Sequence, residues 1–130
     1  MLGNVVELSV AVKNLDEAVE RYTSLFGLKV HRRGESKEFG FINAILPTGI
    51  GHIELLQPID STSAVARFLE KNGEGVYLVG FEVEDIPGAV EQLAAKGARV
   101  SARPEGSVAW VHPREANGVF VELRKREEYK

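Results

Sequence analysis

The chain contains no cysteine. That absence removes disulfide frameworks, thiolate metal sites and thiol nucleophiles at once. It also lacks a long apolar run: in the N-terminal MLGNVVELSVAV, Glu7 breaks the one candidate and no basic segment precedes it, so neither a signal peptide nor a membrane span is expected. Positive charge is in deficit, with 16 Lys and Arg against 19 Asp and Glu for a formal net charge of −3. A broad nucleic-acid surface is therefore disfavoured, because phosphate binding needs clustered cations. No P-loop, GxGxxG fingerprint, nucleophile elbow or zinc spacing is present, and Ser9 has no His near it in sequence to build a serine triad. What remains is 130 residues, 44% hydrophobic and 27% charged, the make-up of one globular domain, residues 1–130, able to bury roughly two thirds of its unfolded surface. A small-molecule partner, no nucleic acid, no membrane and a cytoplasmic location are the expectations.

The apolar residues alternate along 5–12, where Val6, Leu8, Val10 and Val12 share one face and Val5, Glu7, Ser9 and Ala11 the other. Asn14 caps a helix with Glu17 three residues on, Ala18, Val19, Tyr22 and Phe26 form its stripe, and Gly27 stops it. Strands are expected at 28–33, 39–46 and 52–57, with a polar GESKE loop after the first of these. This is a βαβββ unit over about 4–58. A connecting helix follows at about 61–73, with Val65, Phe68 and Leu69 apolar. The pattern then restarts over about 75–125: a strand at 76–83, a helix capped by Asp85 with Pro87 in its first turn and Gly97 at its end, then strands at 99–102, 107–112 and 118–124.

The two units superimpose. Val12 and Val83, Ala18 and Ala89, Val19 and Val90, and Glu20 and Glu91 are each 71 residues apart, while Gly27 and Gly97 are 70 apart and Ile53-Glu54-Leu55 and Val121-Glu122-Leu123 are 68 apart. Matching strand parity, caps and stops identify an internal duplication. Parity also sorts the polar residues. Glu7, Ser9 and Ala11, His52, Glu54 and Leu56, Leu78, Gly80 and Glu82, and Phe120, Glu122 and Arg124 face away from the helices. A carboxylate in a strand interior has to be solvated, paired or protonated.

The opening ELSVAVKNLDEAVERYTSLFGLKV, the segment IELLQP, the stretch ARFLEKNGEGVYLVGFEVEDI and the ending WVHPREANGVFVEL resemble the vicinal oxygen chelate (glyoxalase/bleomycin-resistance/dioxygenase) superfamily. Within it they look most like methylmalonyl-CoA epimerases. The resemblance implies an α+β fold of two βαβββ modules forming a glyoxalase-like sheet around a cavity, a homodimer, and one divalent ion with ligands from the first, fourth, fifth and eighth strands. Matched motif to motif, those ligands fall on Glu7, Glu54, Leu78 and Glu122, and a further epimerase acid or base falls on Asn43 of INAILP. Leu78 has no lone pair and both family histidines are missing. Glu7, Glu54 and Glu122 would thus hold an ion only if a hard one binds, with Mg, Mn or Ca before Zn. Without an ion they repel, raising at least one pKa unless Arg or Lys enters. Asn43 cannot exchange protons near neutral pH.

Of the other side chains, Trp110, Phe120, Phe39 and Phe41 line a cavity or pack as core. His52, beside Gly51, is expected as an exposed turn residue and His112 as structural. Arg32, Arg33 and Lys37 could meet coenzyme A phosphates but are expected to be plain loop charges, and LRKREEYK a solvated end. Two functions compete. One is an isomerase or lyase moving a proton beside a carbonyl or thioester of a small molecule such as an acyl-CoA, with Glu122 as the catalytic base. The other is a metal-free binding or sequestering protein of the drug-resistance type, which Leu78 and Asn43 favour.

Overall fold

The computed structural model describes residues 1–129. Its elements are β1 (Val5–Ala11), α1 (Leu15–Phe26), β2 (Arg32–Ser36), β3 (Phe41–Thr48), β4 (Gly51–Pro58), α2 (Ala64–Asn72), β5 (Gly75–Glu82), α3 (Ile86–Ala95), β6 (Val100–Ala102), β7 (Val108–Val111), a 3-10 turn (Pro113–Ala116) and β8 (Val121–Arg124). This is βαβββ twice with α2 between, the α+β plan expected from the duplication. Among the described residues no helix is long and apolar enough to cross a membrane.

The caps form where the side chains dictate. The Asn14 side chain accepts from the Glu17 amide at 3.0 Å, and Gly27 ends α1 in the left-handed conformation at φ 70°. Asp85 accepts from the Gly88 amide at 3.0 Å, and Pro87 occupies the first turn of α3, where its missing amide costs nothing. Ser63 starts α2 by accepting from the Ala66 amide, so this helix begins later than the apolar pattern suggested.

The chain divides into two compact units, Met1–Glu7 with Leu78–Glu128, and Leu8–Tyr77 with Tyr129. In the second of these the strands run β2-β3-β4-β1, with β3 antiparallel to both neighbours and Asn43 opposite Leu56. Val10, Val12, Ala44, Leu46 and Leu55 pack with Leu15 and Ala18 of α1. Ala11 and Leu56, expected to face away from the helices, instead pack with Val65 of α2, joined by Phe41, Phe68 and Tyr77, so the connecting helix covers this end of the opposite face. In the other unit the order is β1-β5-β8-β7-β6. There β5 and β8 are parallel with Gly80 opposite Glu122, and β7 is antiparallel to β8 with Trp110 opposite Glu122. Val83, Ala109, Val111, Val121 and Leu123 form its core with Ile86 and Ala89 of α3. Val121 and Leu123 thus take the helix-packed face and leave Glu122 the other, as parity requires.

Three expectations need correction. The second strand lies at Arg32–Ser36 rather than 28–33, and most of GESKE is strand, not loop. It pairs with β3 along one side, and the chain turns over 37–40, where the Gly40 amide donates to Ser36 O at 2.8 Å with φ 71°. An exposed, polar edge strand carries no apolar alternation to read. His52 is buried, 3% exposed, because β4 already starts at Gly51 and places it inside the ladder opposite Pro47. The last strand is also shorter than the expected 118–124, since Gly118, at φ 93°, and Val119 donate their amides back to Pro113 O and Ala116 O of the 3-10 turn, so β8 starts at Val121.

Burial fixes a stability contrast. Leu55, fully buried, should cost about 2–5 kcal/mol when changed to Ala, whereas Leu25→Ala, 68% exposed, should stay within about 0.5 kcal/mol. Urea denaturation of both variants measures the difference.

Candidate functional site

In the unit holding β8, four side chains meet. Arg124 Nη1 donates to Glu7 Oε1 at 2.6 Å and to Glu122 Oε2 at 3.3 Å, and Trp110 Nε1 donates to Glu122 Oε1 at 2.9 Å. Glu7 is 4% exposed, and the Arg124 and Glu122 side chains are 19% and 12% exposed. β1 supplies Glu7, β7 Trp110, and β8 both Glu122 and Arg124, two residues apart on one face. β5 contributes a gap: a Cβ on Gly80 would lie 2.8 Å from Glu7 Cβ and 3.2 Å from Arg124 Cδ, so glycine leaves room for the ion pair. Arg103 Cζ lies over the Trp110 ring, 5.9 Å from its centroid, a cation–π contact.

Arg124 faces Glu7 and Glu122 through Nη1, and Glu127 Oε2 lies 3.7 Å from its Nη2. Burial raises the Glu122 pKa, and hydrogen bonding to Glu7 and the charge of Glu7 push it further, while Arg124 and Trp110 pull it down; the balance lies at about 8. Glu122 therefore carries its proton over much of the neutral range and can release it near pH 8.

In the other unit, Glu54 Oε1 accepts from Ser9 Oγ at 2.9 Å and Oε2 from Asn43 Nδ2 at 2.6 Å. Gly34 leaves space here, since a Cβ would stand 3.1 Å from Asn43 Oδ1. His52 Nδ1 is 2.5 Å from Tyr129 Oη, and the Tyr129 ring meets His31 and His52 edge to face at 5.6 and 5.7 Å.

A family description of the glyoxalase/bleomycin resistance protein/dioxygenase superfamily matches residues 8–118. The chain belongs to this superfamily. It is 32% identical to the ethylmalonyl-CoA/methylmalonyl-CoA epimerase of Cereibacter sphaeroides over 96% of this chain and 99% of that protein. Its fold is similar to a variant of the Streptomyces coelicolor methylmalonyl-CoA epimerase solved in complex with 2-nitronate-propionyl-CoA. The TM-score is 0.89 at 28% identity, covering 98% of this chain and 100% of that one. It is likewise similar to a methylmalonyl-CoA epimerase solved with methylmalonyl-CoA and an ammonium ion, at TM-score 0.87 and 29% identity over 100% and 99% of the two chains.

Three of the positions that the resemblance matched to metal ligands, Glu7, Leu78 and Glu122, fall in the unit holding β8. Leu78, buried at 6% exposure, offers no donor, and the Arg124 cation is hydrogen-bonded to both Glu7 and Glu122. Among the described residues no three His, Cys, Asp or Glu side chains converge to hold an ion. The tail is a solvated end only in part: Lys125, Arg126 and Glu128 are exposed, and Lys130 lies outside the described residues. Arg124 joins the site, Arg126 makes a two-pronged pair with Glu82 at 2.8 and 2.9 Å, and Tyr129 docks on His52. The signal was present in the sequence as the shared parity of Glu122 and Arg124; the run of charges around it obscured it. His112 is exposed and caps the 3-10 turn by accepting from the Arg114 amide at 3.1 Å, a structural role. Phe41 packs against α2, Phe120 is half-buried just ahead of β8 and Phe39 is 41% exposed at the turn, so Phe39 lines no core. Arg33 pairs with Asp16 at 2.7 Å on the surface.

The raised Glu122 pKa sets a pH dependence. The folded value, about 8, exceeds the ordinary 4.5. The protonated form therefore contributes stability in full below the unfolded value, and that contribution is lost as pH rises through about 8. Denaturation of wild type and Glu122→Gln across this window should show a steeper loss of stability in the wild type. Parallel curves would assign the slope to another group.

Proposed function

We propose that this protein is an isomerase of the methylmalonyl-CoA epimerase type, moving a proton at the carbon beside the thioester carbonyl of an acyl-CoA. The observation that carries this reading is Glu122: a buried carboxyl with one oxygen on Trp110 Nε1 and the other on Arg124 Nη1, at the position that resembles the family's acid or base. In its ionised form Glu122 takes the carbon-bound proton, and the electron pair of that bond moves onto the carbonyl oxygen to give an enolate. Return of a proton to the opposite face yields the epimer, and return of a solvent-derived proton yields exchange. A base with a pKa near the working pH serves both directions. The low-dielectric surroundings that raise its pKa also strengthen it as a base once ionised.

Asn43 has no part in the transfer. Its amide donates to Glu54 at 2.6 Å, an arrangement that orients a polar wall without holding a labile proton. This favours one base working with solvent over two bases on opposite faces. The similarity to epimerases over nearly the whole chain supports an acyl-CoA substrate. The second reading, a binding protein without chemistry, is favoured by Leu78 and Asn43 and predicts ligand binding with no exchange.

Deuterium uptake by methylmalonyl-CoA decides between them. Wild type should exchange, Glu122→Gln should lower kcat by roughly 10²-fold or more, and Asn43→Ala should lose far less. The kcat/KM profile should rise with pH through a limb centred near 8, the value at which Glu122 ionises. No uptake by folded wild type, or equal uptake by wild type and Glu122→Gln, would overturn this assignment.

A further inference from the structure

Two carboxyls on one buried face call for a cation, and this chain supplies one covalently. Arg124 Nη1 reaches both Glu7 and Glu122. The same guanidinium is braced elsewhere: Nε donates to Lys125 O at 3.1 Å and Nη2 lies 3.7 Å from Glu127 Oε2. Space for it is provided by Gly80, where any side chain would press on Glu7 and on the arginine stem. A guanidinium keeps its charge at every pH the fold experiences.

We infer that Arg124 is the resident cation of this site, filling with its guanidinium the carboxyl coordination that Glu7 and Glu122 would otherwise offer a divalent ion, and so making the site refractory to metal. A hard cation needs several oxygen ligands. Here the two nearest carboxyls are already engaged by a fixed positive charge, which would repel an incoming ion at close range. Leu78 removes a further donor from the set. The inference concerns ion binding alone and stands whether or not the proton-transfer reading holds.

The test is Mn²⁺ uptake by equilibrium dialysis and electron paramagnetic resonance, on protein stripped with chelator. Wild type, Arg124→Lys and Leu78→His, each retaining a cation at 124, should take up no stoichiometric Mn²⁺. Arg124→Gln, which keeps size and loses charge, should bind Mn²⁺ at least about tenfold more tightly than wild type, and Leu78→His combined with Arg124→Gln more tightly still. Stoichiometric uptake by wild type or by Leu78→His would overturn the inference, as would a folded Arg124→Gln that binds no better than wild type. If Arg124→Gln folds only when Mn²⁺ is supplied, the inference is supported. If it folds under neither condition, the Leu78→His result decides. None of these readouts is activity, so failure here is distinguishable from failure of the epimerase reading.

Discussion

One nitrogen of Arg124 has two carboxyl groups within hydrogen-bonding reach, and the charge balance this imposes organises the rest of the site. A single positive charge stabilises one carboxylate well and a second one poorly once water is excluded. The shorter bond, 2.6 Å, goes to Glu7 and the longer, 3.3 Å, to Glu122. Glu122 is accordingly the group whose proton affinity rises, with burial as the largest cause and Glu7 next. Removing Arg124 altogether would strand two acids in a buried setting, a change that costs about 3–5 kcal/mol in comparable pairs.

The same strand alternation that builds the core positions this cluster. Val121 and Leu123 pack toward α3, so the residues between and after them, Glu122 and Arg124, are delivered to the other face together. Trp110 sits opposite Glu122 in the antiparallel ladder with β7, and Gly80 opposite Glu122 in the parallel ladder with β5. A slip of one residue in either ladder would exchange the polar and apolar faces. Core packing and the Glu122 cluster therefore depend on one register.

The two βαβββ units carry Glu54 and Glu122 at matching positions, and the surroundings of these two carboxyls differ. Glu54 is held by neutral donors, the Ser9 hydroxyl and the Asn43 amide. Glu122 is held by an indole and shares a cation with a second acid. A shared guanidinium ties the proton affinity of one acid to the charge of another. The repeated scaffold thus carries two different acid environments.

Sequence alone determined whatever depends on local or periodic rules. The caps at Asn14 and Asp85 and the stop at Gly27 follow from backbone groups that need partners. The two βαβββ units and the face of each strand bearing Glu7, Glu54 or Glu122 follow from period-two alternation. The polar edge strand β2 escaped because it buries little and so leaves no hydrophobic signature. Tertiary structure decided which charged groups meet across 117 residues of chain, as Arg124 and Glu7 do, and that His52 is covered with Tyr129 against it. Parity says which way a side chain points, but pairing between distant strands sets its partners, and a pKa depends on those partners and on burial that no local pattern encodes.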